Sequence, residues 1–317
     1  MGDLKFFLGI EVARNASGIH ISQRKYTLEI IEEARLLDSN TVSTPMDYKL
    51  HLSNESLAPY EDPEFYRTLV GKFIYPTTTR PDISYATQQL SQYMAYPSVL
   101  HFKAVQGIIR YLKSSPASRL FFPSKGSFHL KAFSDSNWAA CVDASRSISG
   151  YAIYLGDALF SWKCKKQKTV SRSSCEAEYQ ALAFTSCGIQ WLLYLLRDFQ
   201  VPHQQRATLF CDNQSAIYIA QNPTFHERTK YIELDCHLVR EKLLNRTIKI
   251  LHVSSSHQLA YLFTKPLSPA AFRFLLSKLG VRNLCLPTCC RGGGGVTARG
   301  FKSPFDFNVT IDPTPAN

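Results

Sequence analysis

Two short apolar runs open the chain, residues 5–11 (KFFLGIE) and 18–23 (GIHISQ), joined by Asn15-Ala16-Ser17-Gly18. Turn formers between such runs predict a hairpin. Helical periodicity follows from Tyr26 to Leu37, and then a Ser/Pro/Asn-rich stretch, 43–63, reads as a long surface connection. Two further helical stretches are expected at 63–75 and 82–114, the second started by Arg80-Pro81-Asp82 and broken near Pro97-Ser98. Residues 116–127 read as a linker between this mainly helical part, 1–115, and a differently patterned one, 128–280.

From residue 128 the period becomes that of strands. Phe128–Phe133, Ile148–Leu155 and Ala158–Lys165 predict an antiparallel meander, with Gly156-Asp157 as its second turn. Ser173-Ser174-Cys175-Glu176 offers a capping box for a helix running to Phe199. A fourth strand at Ala207–Cys211, helices at Gln214–Ala220 and Thr229–Leu244, a fifth strand at Thr247–Val253 and a helix at Gln258–Leu279 complete the pattern. The order β-β-β-α-β-α-α-β-α predicts an α/β fold, a mixed five-stranded sheet with flanking helices. Beyond Gly280, Cys, Gly and Pro dominate, and 281–317 reads as a disordered tail.

Composition narrows the setting. The 317 residues are 45% hydrophobic and 12% aromatic, which excludes a disordered chain, and a net charge of +11 favours a polyanionic partner, nucleic acid rather than a membrane. The longest apolar run, Trp191–Leu196, is far too short to span a bilayer. Nine scattered cysteines without a C-x-x-C pair, and no apolar leader, predict reduced thiols in an intracellular protein of cytoplasm or nucleus. Only Cys285, Cys289 and Cys290 approach zinc-ligand spacing, in a tail that has no histidine, so no zinc site is expected there.

Candidate chemistry rests on three acids. Asp135 in KAFSDSNWA, Glu178 in SSCEAEYQAL and Asp212 in TLFCDNQSA fall on strand end, helix start and strand end. Hydrolysis of a phosphodiester through two metals needs such a converging set, holding ions about 4 Å apart. Glu176 competes for the helix role, but its place in the capping box makes it the better structural candidate. Each acid alone is more often a cap or a solvated charge; the combination is what is specific. Lys163, Lys165, Lys166, Lys168 and Arg172 form a basic run beside the acids, equally readable as a phosphate track or as a solvated face. Trp138 and Trp162 are expected in the core, and His237 and His257 on helix surfaces.

The stretch from SDSNWAACVDASRSISGYAIYLG through SSCEAEYQAL to LFCDNQSAIYIAQ and TKYIELDCHLVREKL resembles the ribonuclease H domain of copia-type retrotransposon Pol polyproteins over 128–280. FFLGIEVARNASGIHISQRKY resembles the primer-gripping hairpin of the same polyprotein's reverse transcriptase, and FYRTLVGKFIYPTTTRPDISYATQQLSQY with HFKAVQGIIRYLK resembles its thumb and connection. The likeness implies a ribonuclease H-like fold, a two-Mg²⁺ site on Asp135, Glu178 and Asp212, and RNA/DNA hybrid as substrate. It places the polymerase aspartates upstream of residue 1, so no polymerase activity is expected. The family pattern D-Q-L-A-D-I-L-T-K meets His257-Gln258-Leu259-Ala260-Tyr261-Leu262-Phe263-Thr264-Lys265 here, so Tyr261 stands at the fourth ligand position. Tyr231 likewise stands where T-K-H-I is usual. A phenol with a pKa near 10 offers no charged oxygen at neutral pH, so the site is expected to be weakened, or the chain to be a hybrid-binding remnant without catalysis.

Overall fold

A computed structural model of the chain describes residues 4–54, 58–203, 205–222 and 233–282. In chain order its elements are β1 (Phe6–Phe7), β2 (Ile10–Asn15), β3 (Gly18–Ser22), α1 (Arg24–Glu33), α2 (Pro63–Ile74), α3 (Ser84–Leu90), α4 (Val99–Ser114) and β4 (Arg119–Pro123). Then follow β5 (Leu130–Cys141), β6 (Arg146–Leu155), β7 (Ala158–Lys166), α5 (Ser174–Asp198), β8 (Ala207–Cys211), α6 (Gln214–Gln221), α7 (Glu233–Leu244), β9 (Ile248–His252), α8 (Pro269–Leu279) and β10 (Val281–Arg282).

The strands form two five-stranded sheets. One is antiparallel throughout, in the order β1-β2-β3-β4-β10; the other is mixed, in the order β7-β6-β5-β8-β9, with β8 and β9 parallel to β5. The hairpin β2–β3 turns where expected, because Asn15 Oδ1 accepts from the Ser17 and Gly18 amides at 2.9 and 3.1 Å. The first apolar run is not one strand, however. Leu8 and Gly9 take positive φ of 47° and 73° and fold β1 back onto β2.

The stretch expected as a linker holds β4, which pairs with both β3 and β10, and the first two residues of the expected tail are β10 itself. Short strands that pair only with distant segments carry little local signal. The expected single helix at Gln258–Leu279 is instead a 3₁₀ turn, Leu259–Phe263, followed by α8. Pro266 and Pro269 explain the break: neither can donate to a continuous ladder, and Pro269 opens α8 behind the Ser268 cap.

Strand alternation in the mixed sheet feeds two cores. Ala132, Tyr151, Ile153, Leu209 and Ile250 face α5 and α7, where they meet Leu182, Ile189 and Val239. Phe133, Ala152, Tyr154 and Phe210 point the other way into a core shared with Phe73, Leu90, Val105, Ile108 and Phe263. The helices of the N-terminal part therefore cover one face of the C-terminal sheet. Beneath them Arg80, only 1% exposed, meets Asp82 at 2.8 Å and the Ser115 carbonyl at 2.8 Å, while Tyr111 donates to Asp82 at 2.6 Å. Among the described residues no helix is long and apolar enough to cross a membrane.

Candidate carboxylate site

β5 extends well past the expected Phe133, so Asp135 lies within the strand rather than at its end. The pairing continues because Ser134, Asp135 and Ser136 stand opposite Tyr151, Gly150 and Ser149, and Gly150 leaves room above it. A Cβ at Gly150 would lie 2.7 Å from Phe263 Cβ and 2.8 Å from Thr264 Cγ2. The 3₁₀ turn is thus pressed onto β6 directly opposite Asp135. Gln258 fixes the same turn to β5 by donating to the Ser134 carbonyl at 3.0 Å.

Glu178 enters from the second turn of α5. Its Oε1 accepts from the Ser136 amide at 3.1 Å, while Oε2 is buried with no hydrogen-bond partner. Burial first, and then the charges of Asp135 and Asp212, push the Glu178 carboxyl well above its ordinary range. Asp135, fully buried, is also raised by burial, against the opposing pull of Lys265. Asp212 follows β8 directly. Of the three acids predicted from sequence, Glu178 on α5 and Asp212 after β8 bring ligand atoms within 4.8 Å of each other, with Cys211 as the third member of that group; Asp135 on β5 stands outside it and faces both acids through charge. Glu176 stays outside: its carboxylate accepts from the Arg172 amide at 2.8 Å, and Ser173 Oγ caps the Glu176 amide. The Ser173 half is that of a capping box, while the Glu176 carboxylate reaches the amide one residue before the cap.

The fourth side is closed by residues of the opposite character. Tyr261 donates its hydroxyl to Asp212 Oδ2 at 2.6 Å, and Ser255 donates to the same oxygen at 3.0 Å. Burial, reinforced by the hydrogen bond to Asp212, pushes the Tyr261 phenol further up, so it remains neutral. Lys265 Nζ lies 3.5 Å from the centre of the Tyr261 ring and 3.2 Å from Asp135 Oδ1, and Thr264 donates to Asp135 Oδ2. Cys211 was not expected here. Its sulfur lies within 4.8 Å of ligand atoms of Glu178 and Asp212, but burial and the Glu178 charge keep the thiol protonated. Thr264 and Lys265 lie inside the 257–265 segment and Cys211 inside TLFCDNQSA, but nothing in their spacing marked them as partners of the acids.

The basic run divides. Lys163, Lys165, Lys168 and Arg172 are exposed, with Lys165 Nζ 5.8 Å over Phe184, whereas Lys166 turns to Gln92 Oε1 at 2.8 Å. β7 is an edge of its sheet, where lysines also discourage pairing with a second chain. Trp138 is 49% exposed rather than in the core, its indole donating to the Ser171 carbonyl at 2.9 Å, while Trp162 packs against the shared core and donates to Thr77. The strand twist at Ala139, with φ of 50°, turns Trp138 outward. His237 and His257 lie outside the acid cluster, His257 against Ser254 and His237 against Glu233. Tyr231, Cys285, Cys289 and Cys290 lie outside the described residues.

A family model for reverse transcriptase (RNA-dependent DNA polymerase) matches residues 1–48. The chain is 41% identical over 92% of its length to the retrovirus-related Pol polyprotein from transposon RE2 of Arabidopsis thaliana, and 41% identical over 88% to that from transposon RE1. These alignments cover 20% and 19% of the polyproteins, so the chain spans about a fifth of their length. The N-terminal RNase H domain of Rv2228c from Mycobacterium tuberculosis aligns with 47% of this chain and 97% of that one, at 12% identity and a TM-score of 0.32. The identity to the Pol polyproteins runs through both the reverse-transcriptase and the acid-bearing segments, and the chain belongs to the copia-type retrotransposon Pol family.

Proposed function

We propose that residues 128–280 form a ribonuclease H-type domain acting on RNA in RNA/DNA hybrids, with its hydrolytic site impaired at Tyr261. The observation that carries this reading is the meeting of Glu178 with Asp212, electrostatically coupled to Asp135, with Glu178 Oε2 buried and unpartnered. Burial raises the Asp135 and Glu178 carboxyls with only the Lys265 ammonium beside Asp135, and a divalent cation on these oxygens would favour their charged forms. The donor set suits a hard divalent ion such as Mg²⁺: carboxylate oxygens dominate, and the nearby thiol stays protonated. Asp135, Glu178 and Asp212 would hold it, and Glu178 Oε2 needs no prior partner to be displaced. Such ions, when bound, activate the attacking water and offset charge on the leaving oxygen.

The impairment follows from polarity. An acid at position 261 would add a charged ligand; Tyr261 instead spends a hydrogen bond on Asp212 and holds the Lys265 ammonium over the cluster. All three acids accept from protein donors, and only Glu178 Oε2 is left without one among the oxygens of Asp135 and Glu178. Exposed Lys163, Lys165, Lys168 and Arg172 give phosphate contacts along the hybrid, with Lys166 in a structural role. A hybrid substrate is consistent with work in cytoplasm or nucleus. A second reading, a hybrid-binding remnant without catalysis, is favoured by the same Tyr261–Lys265–Asp135 contacts.

The test is Mg²⁺-dependent cleavage of an RNA/DNA hybrid by the native chain, by Tyr261→Asp and by Asp212→Asn. Tyr261→Asp should cut roughly 10- to 100-fold faster than the native chain, and Asp212→Asn should not cut. Equal cleavage by native and Tyr261→Asp removes the impairment; no cleavage by either, with hybrid still bound, establishes the remnant.

A further inference from the structure

The β3–β4–β10 corner of the antiparallel sheet gathers cations on one face. Arg119 and Arg282 are directly opposite partners in the β4–β10 ladder, and His20 is opposite Phe121 in the β3–β4 ladder. Arg119 and Phe121 are two residues apart on one strand and so share a face. The contacts agree: the Arg282 guanidinium lies 4.0 Å from the centre of the Phe121 ring, whose other neighbour is the His20 ring at 4.6 Å.

This arrangement runs against the usual economy of a sheet. Like charges directly opposite one another are unfavourable, and burial together with Arg119 lowers Arg282. His20 is only 7% exposed, its Nδ1 has no hydrogen-bond partner, and burial with the two guanidinium charges lowers its basicity. Arg119 Nε is likewise buried and unpartnered. No salt bridge among the described residues reaches Arg119 or His20; the acid of the neighbouring strand, Glu11, is taken by Ser22 and the Lys25 amide. Stacking on Phe121 accounts for Arg282 as cover for an aromatic ring. It leaves unexplained why Arg119 faces it with a buried donor unmade.

We propose that His20, Arg119 and Arg282 form a binding site for a phosphate group. A tetrahedral dianion or a diester offers several oxygens to two guanidinium forks at once and offsets their repulsion. It would also satisfy Arg119 Nε and the neutral His20 ring as an Nδ1–H donor. The site is built jointly by the N-terminal hairpin, β4 and the strand that follows α8, apart from the carboxylate cluster, and it stands whether or not that cluster cleaves. Two sources share this chemistry, a nucleic-acid backbone and a free phosphate ester.

The full chain, Arg119→Gln and the double variant Arg119→Gln/Arg282→Gln should be compared by thermal melting in inorganic phosphate against chloride of equal ionic strength. Binding of a labelled single-stranded oligonucleotide should be followed across a salt series in parallel. With a backbone as ligand, the double variant is expected to bind the oligonucleotide about tenfold more weakly and to lower the salt slope by about 2. With a free ester as ligand, phosphate raises the native Tm above that of the variant while oligonucleotide binding is unchanged. Either result supports the site, and the two distinguish its source. Arg119→Gln alone keeps the Arg282–Phe121 stack and decides the matter if the double variant fails to fold. Native and variant proteins that respond alike to both probes overturn the proposal.

Discussion

At the scale of single residues, Tyr261 and Gly150 decide how the acid cluster is held. Tyr261 has two separable effects, a missing charge and an added donor to Asp212. Tyr261→Phe removes only the donor. It is expected to leave hybrid cleavage where the native chain has it, whereas Tyr261→Asp restores it; recovery in Tyr261→Phe would mean that the hydroxyl, not the lost carboxylate, is the lesion. Gly150 is a matter of space, since its added Cβ meets Phe263 and Thr264 under 3.0 Å. Gly150→Ala should cost about 1–3 kcal/mol in urea unfolding, as overpacking does. The Arg80–Asp82 pair is a matter of charge. Asp82→Ala strands a guanidinium that is 1% exposed, and a loss of roughly 3–5 kcal/mol is expected in the same measurement.

At the scale of elements, α4 carries a pH dependence. Its N-terminus is closed by reciprocal bonds: Ser98 Oγ accepts from the His101 amide at 3.2 Å, and His101 Nδ1 accepts from the Ser98 amide at 3.0 Å. Nδ1 must be unprotonated to accept, and Nε2 faces the Ser53 carbonyl. Burial lowers His101 below its ordinary value, with Ser53 and Asp143 pulling the other way. The folded form then binds fewer protons than the unfolded one. Its contribution is full above about pH 6.5 and is lost as pH falls from there through the depressed folded value. Chemical denaturation between pH 5 and 8 should show native stability falling below about pH 6.5, with a shallower fall in His101→Gln. The slope should diminish and not vanish, because His20 and His129 are lowered in the same sense. An identical slope in the variant would place the titration elsewhere.

Elements also show what the chain displays locally. β8 is found at the expected Ala207–Cys211, and α2 and α5 within a residue or so, because each has a plain apolar period and a cap from Asp62 or Ser173. β4 and β10 were hidden because their partners lie far away in sequence. β5 was cut short because Ser134-Asp135-Ser136 looks like a polar strand end, yet those residues are the buried floor of the site. The three acids were legible from their elements. Lys265 reaching Asp135 was not, since the break at Pro266 is what aims it.

At the scale of the whole molecule, the mixed sheet lacks a face of its own. Phe133, Tyr154, Phe210 and Phe263 share one core with residues of α2, α3 and α4 as well as with the 3₁₀ turn and α8. A fragment of residues 128–282 should therefore bind a hydrophobic dye and associate in sedimentation, where the full chain does not. A monomeric, dye-free fragment would show that the sheet can close this face without the N-terminal helices.

The return of β10 to β4 bears on how the chain is made. The ribosome releases β1 to β4 first and β10 only after the whole mixed sheet, so β4 waits with an open edge for roughly 10 to 30 s of synthesis. During that interval Leu120 and Phe121 are available to any passing strand. The order of translation, more than the finished fold, sets when this protein is most exposed to misassembly.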